Sequence, residues 1–127
     1  MKKKIHIDYP LNQASGKTIW NAISTPAGLQ EWFADRVSKV GKEFTFQWGK
    51  TEVRKATLMN TRNDSFIRFH WSDDDEPKTF FEMRILSNEL TGDHMLVISD
   101  FSDPDEEDDT ISLWNSQINN LKRACGI

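Results

Sequence analysis

The sequence predicts an α+β fold in which an antiparallel sheet is covered by one long C-terminal helix. Three observations predict it. Strand-like segments follow one another without a helical interruption from about Glu43 to Phe101. The C-terminal segment carries a single apolar stripe at helical spacing, and two short helical segments separate the first strand from the remaining ones. Strands in a run, with helices gathered at the ends of the chain, favour antiparallel pairing over a βαβ pattern. The strand count read this way is about six or seven.

The first strand is Lys3 to Tyr9, with Ile5, Ile7 and Tyr9 on one face, and Pro10 ends it. Ser15 to Ser24 reads as a helix because Ile19, Trp20 and Ile23 fall at three-and-four spacing. Thr25-Pro26 then opens a second short helix, with Thr25 as N-cap and Pro26 at the first helical position, where no amide donor is needed. Leu29, Trp32 and Phe33 form its apolar side.

Phe44, Phe46 and Trp48 alternate with Glu43, Thr45 and Gln47, the pattern of a half-buried strand. Arg54 to Met59 is its partner across the Gly49-Lys50 turn. Ile67, Phe69 and Trp71 alternate with Arg68 and His70, and Phe81, Met83 and Ile85 alternate with Glu82 and Arg84. The last strand, His94 to Phe101, is apolar at consecutive positions (Leu96, Val97, Ile98), so its facing is not fixed by pattern. In the final helix Ile111, Trp114, Ile118, Leu121 and Cys125 make one stripe, suited to lying on the sheet. Acids before Ile111, with Asp108 or Asp109 as the expected N-cap, complement the positive end of the helix dipole; Lys122 and Arg123 complement the negative end.

At 127 residues, 37% hydrophobic and 28% charged, the chain reads as one domain, residues 1–127, able to bury a core without metal or disulfide. The formal charge is −4. Six acids lie between Asp103 and Asp109 and four run from Asp73 to Glu76; the other ten acids face sixteen Lys and Arg. Acidic loops repel phosphate and no nucleic-acid motif is present, so nucleic acid is not the expected partner. Lys2, Lys3 and Lys4 are not followed by the apolar stretch of a signal peptide, and no run approaches a membrane span. A cytoplasmic location is the expectation, and the lone Cys125 does not require an oxidising compartment.

The segment Ile19-Trp20-Asn21-Ala22-Ile23-Ser24-Thr25-Pro26-Ala27-Gly28-Leu29-Gln30-Glu31-Trp32-Phe33-Ala34-Asp35 resembles the opening of START-like proteins. These include relatives of the Hsp90-ATPase activator C-terminal domain and of the polyketide cyclase/lipid-transport superfamily. Leu113-Trp114 followed by Ile118 and Leu121 is similar to the family's final helix, and the order of elements agrees over essentially the whole chain. The resemblance implies a helix-grip fold, a strongly bent sheet gripping the long helix, with space between them for an apolar ligand.

Trp48, Phe69, Trp71, Phe81, Met83 and Trp114, with Phe46 and Ile118 beside them, are the expected ligand-facing residues. Bulky rings under a long helix suit an apolar pocket, and the competing role for the same rings is simple core packing. Trp32 and Phe33 are candidates to gate the entrance. His6, His70 and His94 lie in three separate strands; His6 and His70 alternate away from the apolar face, which is not the convergence a zinc site needs. The Asp103–Asp109 segment lacks the glycine turn and the distant bidentate Glu of a calcium loop. No catalytic triad order, phosphate loop or dinucleotide fingerprint occurs, so no catalytic residue and no cofactor is assigned. Glu52, Arg54, Arg68, Glu82 and Arg84 alternate with apolar neighbours and are expected to point outward.

The first functional expectation is non-catalytic binding of a small apolar molecule. The alternatives are a protein-interaction module working through the acidic loops, in the manner of a chaperone cofactor, and a cyclase- or hydrolase-like enzyme on the same fold. The enzyme reading requires ionisable groups converging inside the cavity. A monomer or weak dimer is expected.

Overall fold

In the computed structural model, which describes residues 2–11 and 14–127, seven strands form one antiparallel sheet in the order β1-β7-β6-β5-β4-β3-β2. The chain runs β1 (Lys3–Pro10), α1 (Gly16–Ser24), α2 (Pro26–Leu29), β2 (Arg36–Val40), β3 (Glu43–Trp48), β4 (Glu52–Arg62), β5 (Phe66–Trp71), β6 (Phe81–Ser87), β7 (His94–Ser102) and α3 (Glu107–Ala124). From β2 to β7 each strand pairs with its sequence neighbour. β1 closes the order by pairing with β7, Ile7 opposite Ile98. The sheet is curved and α3 lies in its concave face, the helix-grip arrangement.

Alternation sets which side chains reach that face. Phe44, Phe46, Ala56, Ile67, Phe69, Phe81, Met83, Ile85, Leu96 and Ile98 all point inward and are buried. Trp114, Ile118 and Leu121 of α3 join the same cluster, as do Ile19, Trp20 and Ile23 of α1. Leu96 and Ile98 therefore face the helix, and Val97 is buried from the opposite side, which settles the facing of β7.

Three details differ from the sequence expectation. β2 (RVSKV) is an edge strand with only Val37 buried, and an edge needs no apolar alternation, so its pattern is silent. α3 is capped by neither Asp108 nor Asp109. A 3₁₀ turn over Pro104–Glu106 feeds directly into the helix at Glu107, and no side chain caps it. Pro104 starts the winding early, and Glu107, Asp108 and Asp109 fill the first turn, where they complement the dipole. Glu52 and Arg54 also point inward, for a reason of register. The turn through Gly49 (φ +62°) pairs Trp48 with Glu52 and Phe46 with Arg54, which places each pair on one face. Arg68, Glu82 and Arg84 do lie on the outer face, where both guanidinium groups bond Glu82.

The Thr25-Pro26-Ala27-Gly28 corner has a steric logic. Thr25 Oγ1 accepts from the Gly28 amide at 2.9 Å and donates to the Asn21 carbonyl at 2.8 Å. A Cβ on Gly28 would come within 2.0 Å of the Asn21 carbonyl oxygen and 2.8 Å of Ala22 Cα. Only glycine lets α2 fold back so closely onto α1.

Candidate functional site

Phe33, four residues past the end of α2, is the hub of the interior. Its ring centroid lies 5.1 Å from that of Phe46, 5.9 Å from Trp48, 5.9 Å from Phe81, 5.9 Å from Trp114 and 6.5 Å from Trp71. Its carbonyl accepts from Trp48 Nε1 at 2.8 Å and from Gln117 Nε2 at 3.3 Å, so β3 and α3 both hold its backbone. Phe33 thus fills the middle of the space between sheet and helix.

What remains open lies at the mouth of that space. A cavity of about 290 Å³ is bordered by Phe33, Trp48, Trp71 and Trp114, with Glu52, Arg54, Asp100 and Gln117 among them. On the other side of Arg54 and Trp71 lies a more polar groove of about 390 Å³ that reaches Lys2, Asp73, Asp74 and Glu106; Arg54, Trp71, Asp100, Thr110 and Leu113 border both. The expected lining set therefore divides. Phe33, Trp48, Trp71 and Trp114 border the cavity. Phe46, Phe69, Phe81, Met83 and Ile118 are packed beneath it with at most 1% exposure. Trp32 is away from the cavity; its Nε1 donates to the Ala22 carbonyl at 2.8 Å and pins the end of α2 to α1. A wider, more open depression of about 430 Å³ lies across the molecule, between the α1–α2 corner and the end of α3, with Cys125 at its wall. Burial pushes the Cys125 thiol up, which keeps it poorly nucleophilic.

The ionisable groups at the mouth are unequally partnered. Arg54 stacks on the Trp71 ring, its guanidinium carbon 3.9 Å from the centroid, and donates two 2.8 Å hydrogen bonds to Asp73. Those hydrogen bonds hold the Asp73 carboxyl below the usual range. Asp74 accepts from Thr79 Oγ1 at 2.7 Å and Lys2 Nζ at 2.9 Å. Burial opposes its ionisation, yet these donors hold its pKa at about 2. Asp100 behaves in the opposite sense. It projects from β7 into the concave face, accepts from Trp114 Nε1 at 2.8 Å and from the Phe101 amide at 2.7 Å, and burial raises its pKa. Among the described residues, neither Asp100 nor Glu52 has an ion-pair partner.

Sequence reasoning missed Asp100 and Arg54 as members of the site. The available signal for Asp100 was Ile98, two residues earlier on β7: once Ile98 faces the helix, so does Asp100. His6 and His70 lie on the outer sheet face, and His94 lies beside Gly16. Among the described residues no group of three or more His, Cys, Asp or Glu is placed to hold a metal, and no helix is long and apolar enough to cross a membrane.

The sequence model of a START-like superfamily domain matches residues 1–127. The protein BfR322 from Bacteroides fragilis, solved by solution NMR, is 52% identical; the match covers 99% of this chain and 93% of that one, with a TM-score of 0.71. The Aha1 dimer from Colwellia psychrerythraea shares the fold at 16% identity, covering 100% of this chain and 97% of that one, with a TM-score of 0.76. DynU16, a protein in the dynemicin biosynthetic locus, does so at 15% identity over 96% of this chain and 46% of its own, with a TM-score of 0.72. No curated protein matches the chain.

Proposed function

Starting from the membership of this chain in the START-like superfamily, we propose that it binds a small apolar molecule in the cavity between the concave sheet face and α3, without transforming it. The observation that carries this reading is the wall of four large rings, Phe33, Trp48, Trp71 and Trp114, around an open space of about 290 Å³. That volume is at the lower edge of small-molecule sites, and apolar walls with a few placed polar groups are their usual make-up. The volume as it stands takes a compact ligand. A larger one requires the Phe33 ring to swing away from Phe46 and Phe81; because the Phe33 carbonyl is clamped by Trp48 and Gln117, the movement belongs to the side chain rather than the loop. Phe33, not Trp32, is therefore the gate.

Two acidic stretches are the basis of the alternative reading, an interaction surface, and most of their acids stay exposed. Within them Asp73 and Asp74 are paired with Arg54 and Lys2, while Glu107 to Asp109 form the first turn of α3. Native mass spectrometry of the purified protein, followed by solvent extraction, tests the binding reading. A co-purifying apolar compound that is lost from Trp48→Ala supports it. A protein that carries nothing and leaves its tryptophan emission unmoved by a panel of apolar fluorophores overturns it.

A further inference from the structure

We propose that the ligand is an organic cation, an apolar body ending in a protonated amine, whose positive end sits against Asp100 and Glu52 inside the aromatic mouth. This rests on the binding reading above and names the chemical class it admits.

The two neighbouring openings are bordered by five carboxylates (Glu52, Asp73, Asp74, Asp100 and Glu106) and two cations, Lys2 and Arg54. Both cations are already matched, Lys2 to Asp74 at 2.9 Å and Arg54 to Asp73 at 2.8 Å. An anionic ligand would have to break one of these pairs. Asp100 and Glu52, which border the apolar cavity itself, have no ion-pair partner among the described residues, although the charges of Arg54 and Lys2 draw the Asp100 pKa down in part. Asp100 is the informative one. It is largely removed from water, and only two of its roughly four lone-pair sites are used, by Trp114 Nε1 and the Phe101 amide. Burial outweighs the two hydrogen bonds and the more distant charges of Arg54 and Lys2, as the upward direction of its pKa records, and an ammonium bound in direct contact would relieve it.

The walls fit the same ligand. Indole faces attract cations through their quadrupole. Trp71 already holds one in this position, the Arg54 guanidinium 3.9 Å from its centroid. Trp48 and Trp114 border the same cavity, and Phe33 closes its floor. An apolar cavity, a desolvated carboxylate in its wall and indole rings around it together select a molecule that is apolar along its length and positive at one end.

The test is a comparative titration with phenylbutylamine, phenylbutanol and phenylbutyrate, of equal length and differing only in the end group. It is followed through the indole Nε1–H signals of Trp48, Trp71 and Trp114 in a nitrogen–proton correlation spectrum at neutral pH. The amine is expected to bind about tenfold or more tighter than the alcohol, with the carboxylate weakest. Asp100→Asn keeps an oxygen acceptor for Trp114 and is expected to erase the amine's advantage over the alcohol. Glu52→Gln, at the exposed rim where folding is not at risk, is expected to reduce that advantage in part. An amine that binds no tighter than the alcohol, or an advantage that survives both substitutions, overturns the cation assignment and leaves the apolar-binding reading standing. Absence of any response at the three indoles to all three probes overturns both.

Discussion

The Trp114 indole of α3 donates a 2.8 Å hydrogen bond to the Asp100 carboxylate of β7. The contact joins the middle of the long helix to the concave face of the sheet, and it does so at the wall of the cavity. Trp114 is 4% exposed, and its ring also meets Phe33 and Phe81, so one side chain serves packing, orientation and the polar wall together.

Trp114→Phe keeps most of the ring and removes the donor. Loss of a hydrogen bond to a buried charged group is expected to lower stability by about 1.5–3 kcal/mol in urea unfolding. The Asp100 pKa, already raised, should move further up in a carboxyl-detected NMR titration. The sign follows from the direction of the shift. With a folded pKa above the unfolded one, the contribution of Asp100 to stability is fully present below the unfolded carboxylate range and is lost as pH rises through the folded value. The variant should therefore lose more stability at neutral pH than in mild acid.

Asp74 predicts the reverse pH dependence. Its pKa is held at about 2, below the usual 3.8, so its stabilisation is present above the unfolded value and is lost as pH falls from about 4 to 2. Asp74→Asn is expected to cost about 1–2 kcal/mol at neutral pH, reduced from the full linkage value by solvent screening at the rim, and almost nothing at the acid end. Urea midpoints measured across that interval check it.

Phe33→Ala removes the ring around which six other aromatic side chains are arranged. A loss of about 3–5 kcal/mol is expected from lost burial and the space left behind. Phe33→Leu, which retains much of the volume, should cost clearly less. If Phe33 is the gate, the alanine variant binds an apolar fluorophore more tightly than the parent at a temperature where both are folded. Equal affinity would remove Phe33 from that role.

Gly28→Ala should be among the most damaging small substitutions in the chain. The added methyl meets backbone rather than a movable side chain, 2.0 Å from the Asn21 carbonyl oxygen, so α2 must shift away from α1. A loss of about 2–4 kcal/mol is expected by thermal or urea unfolding. An effect below about 1 kcal/mol would show that the corner is looser than this geometry.

The elements with strong periodicity were legible from the sequence. Ile111, Trp114, Ile118 and Leu121 defined α3, and the Phe44-Phe46-Trp48, Ile67-Phe69-Trp71 and Phe81-Met83-Ile85 alternations defined β3, β5 and β6, because one buried face imposes its period on the residues that form it. β2 was not legible, since a strand at the sheet edge buries almost nothing. Nor were the inward directions of Glu52 and Arg54, which local alternation placed outside.

What the sequence determined alone was the order of the elements other than β2, the helix and strand periods, the Thr25-Pro26 start of α2, and the supply of large rings for the interior. Tertiary structure alone decided how those rings divide. Phe46, Phe69, Phe81, Met83 and Ile118 go to the packed core, while Trp48, Trp71 and Trp114 go to an open mouth with Asp100 in its wall. The physical reason is that alternation fixes a residue's face but not its depth. Depth follows from the register across β3 and β4, from the curvature of the sheet, and from where Phe33 comes to rest once α1 and α2 have folded back across it.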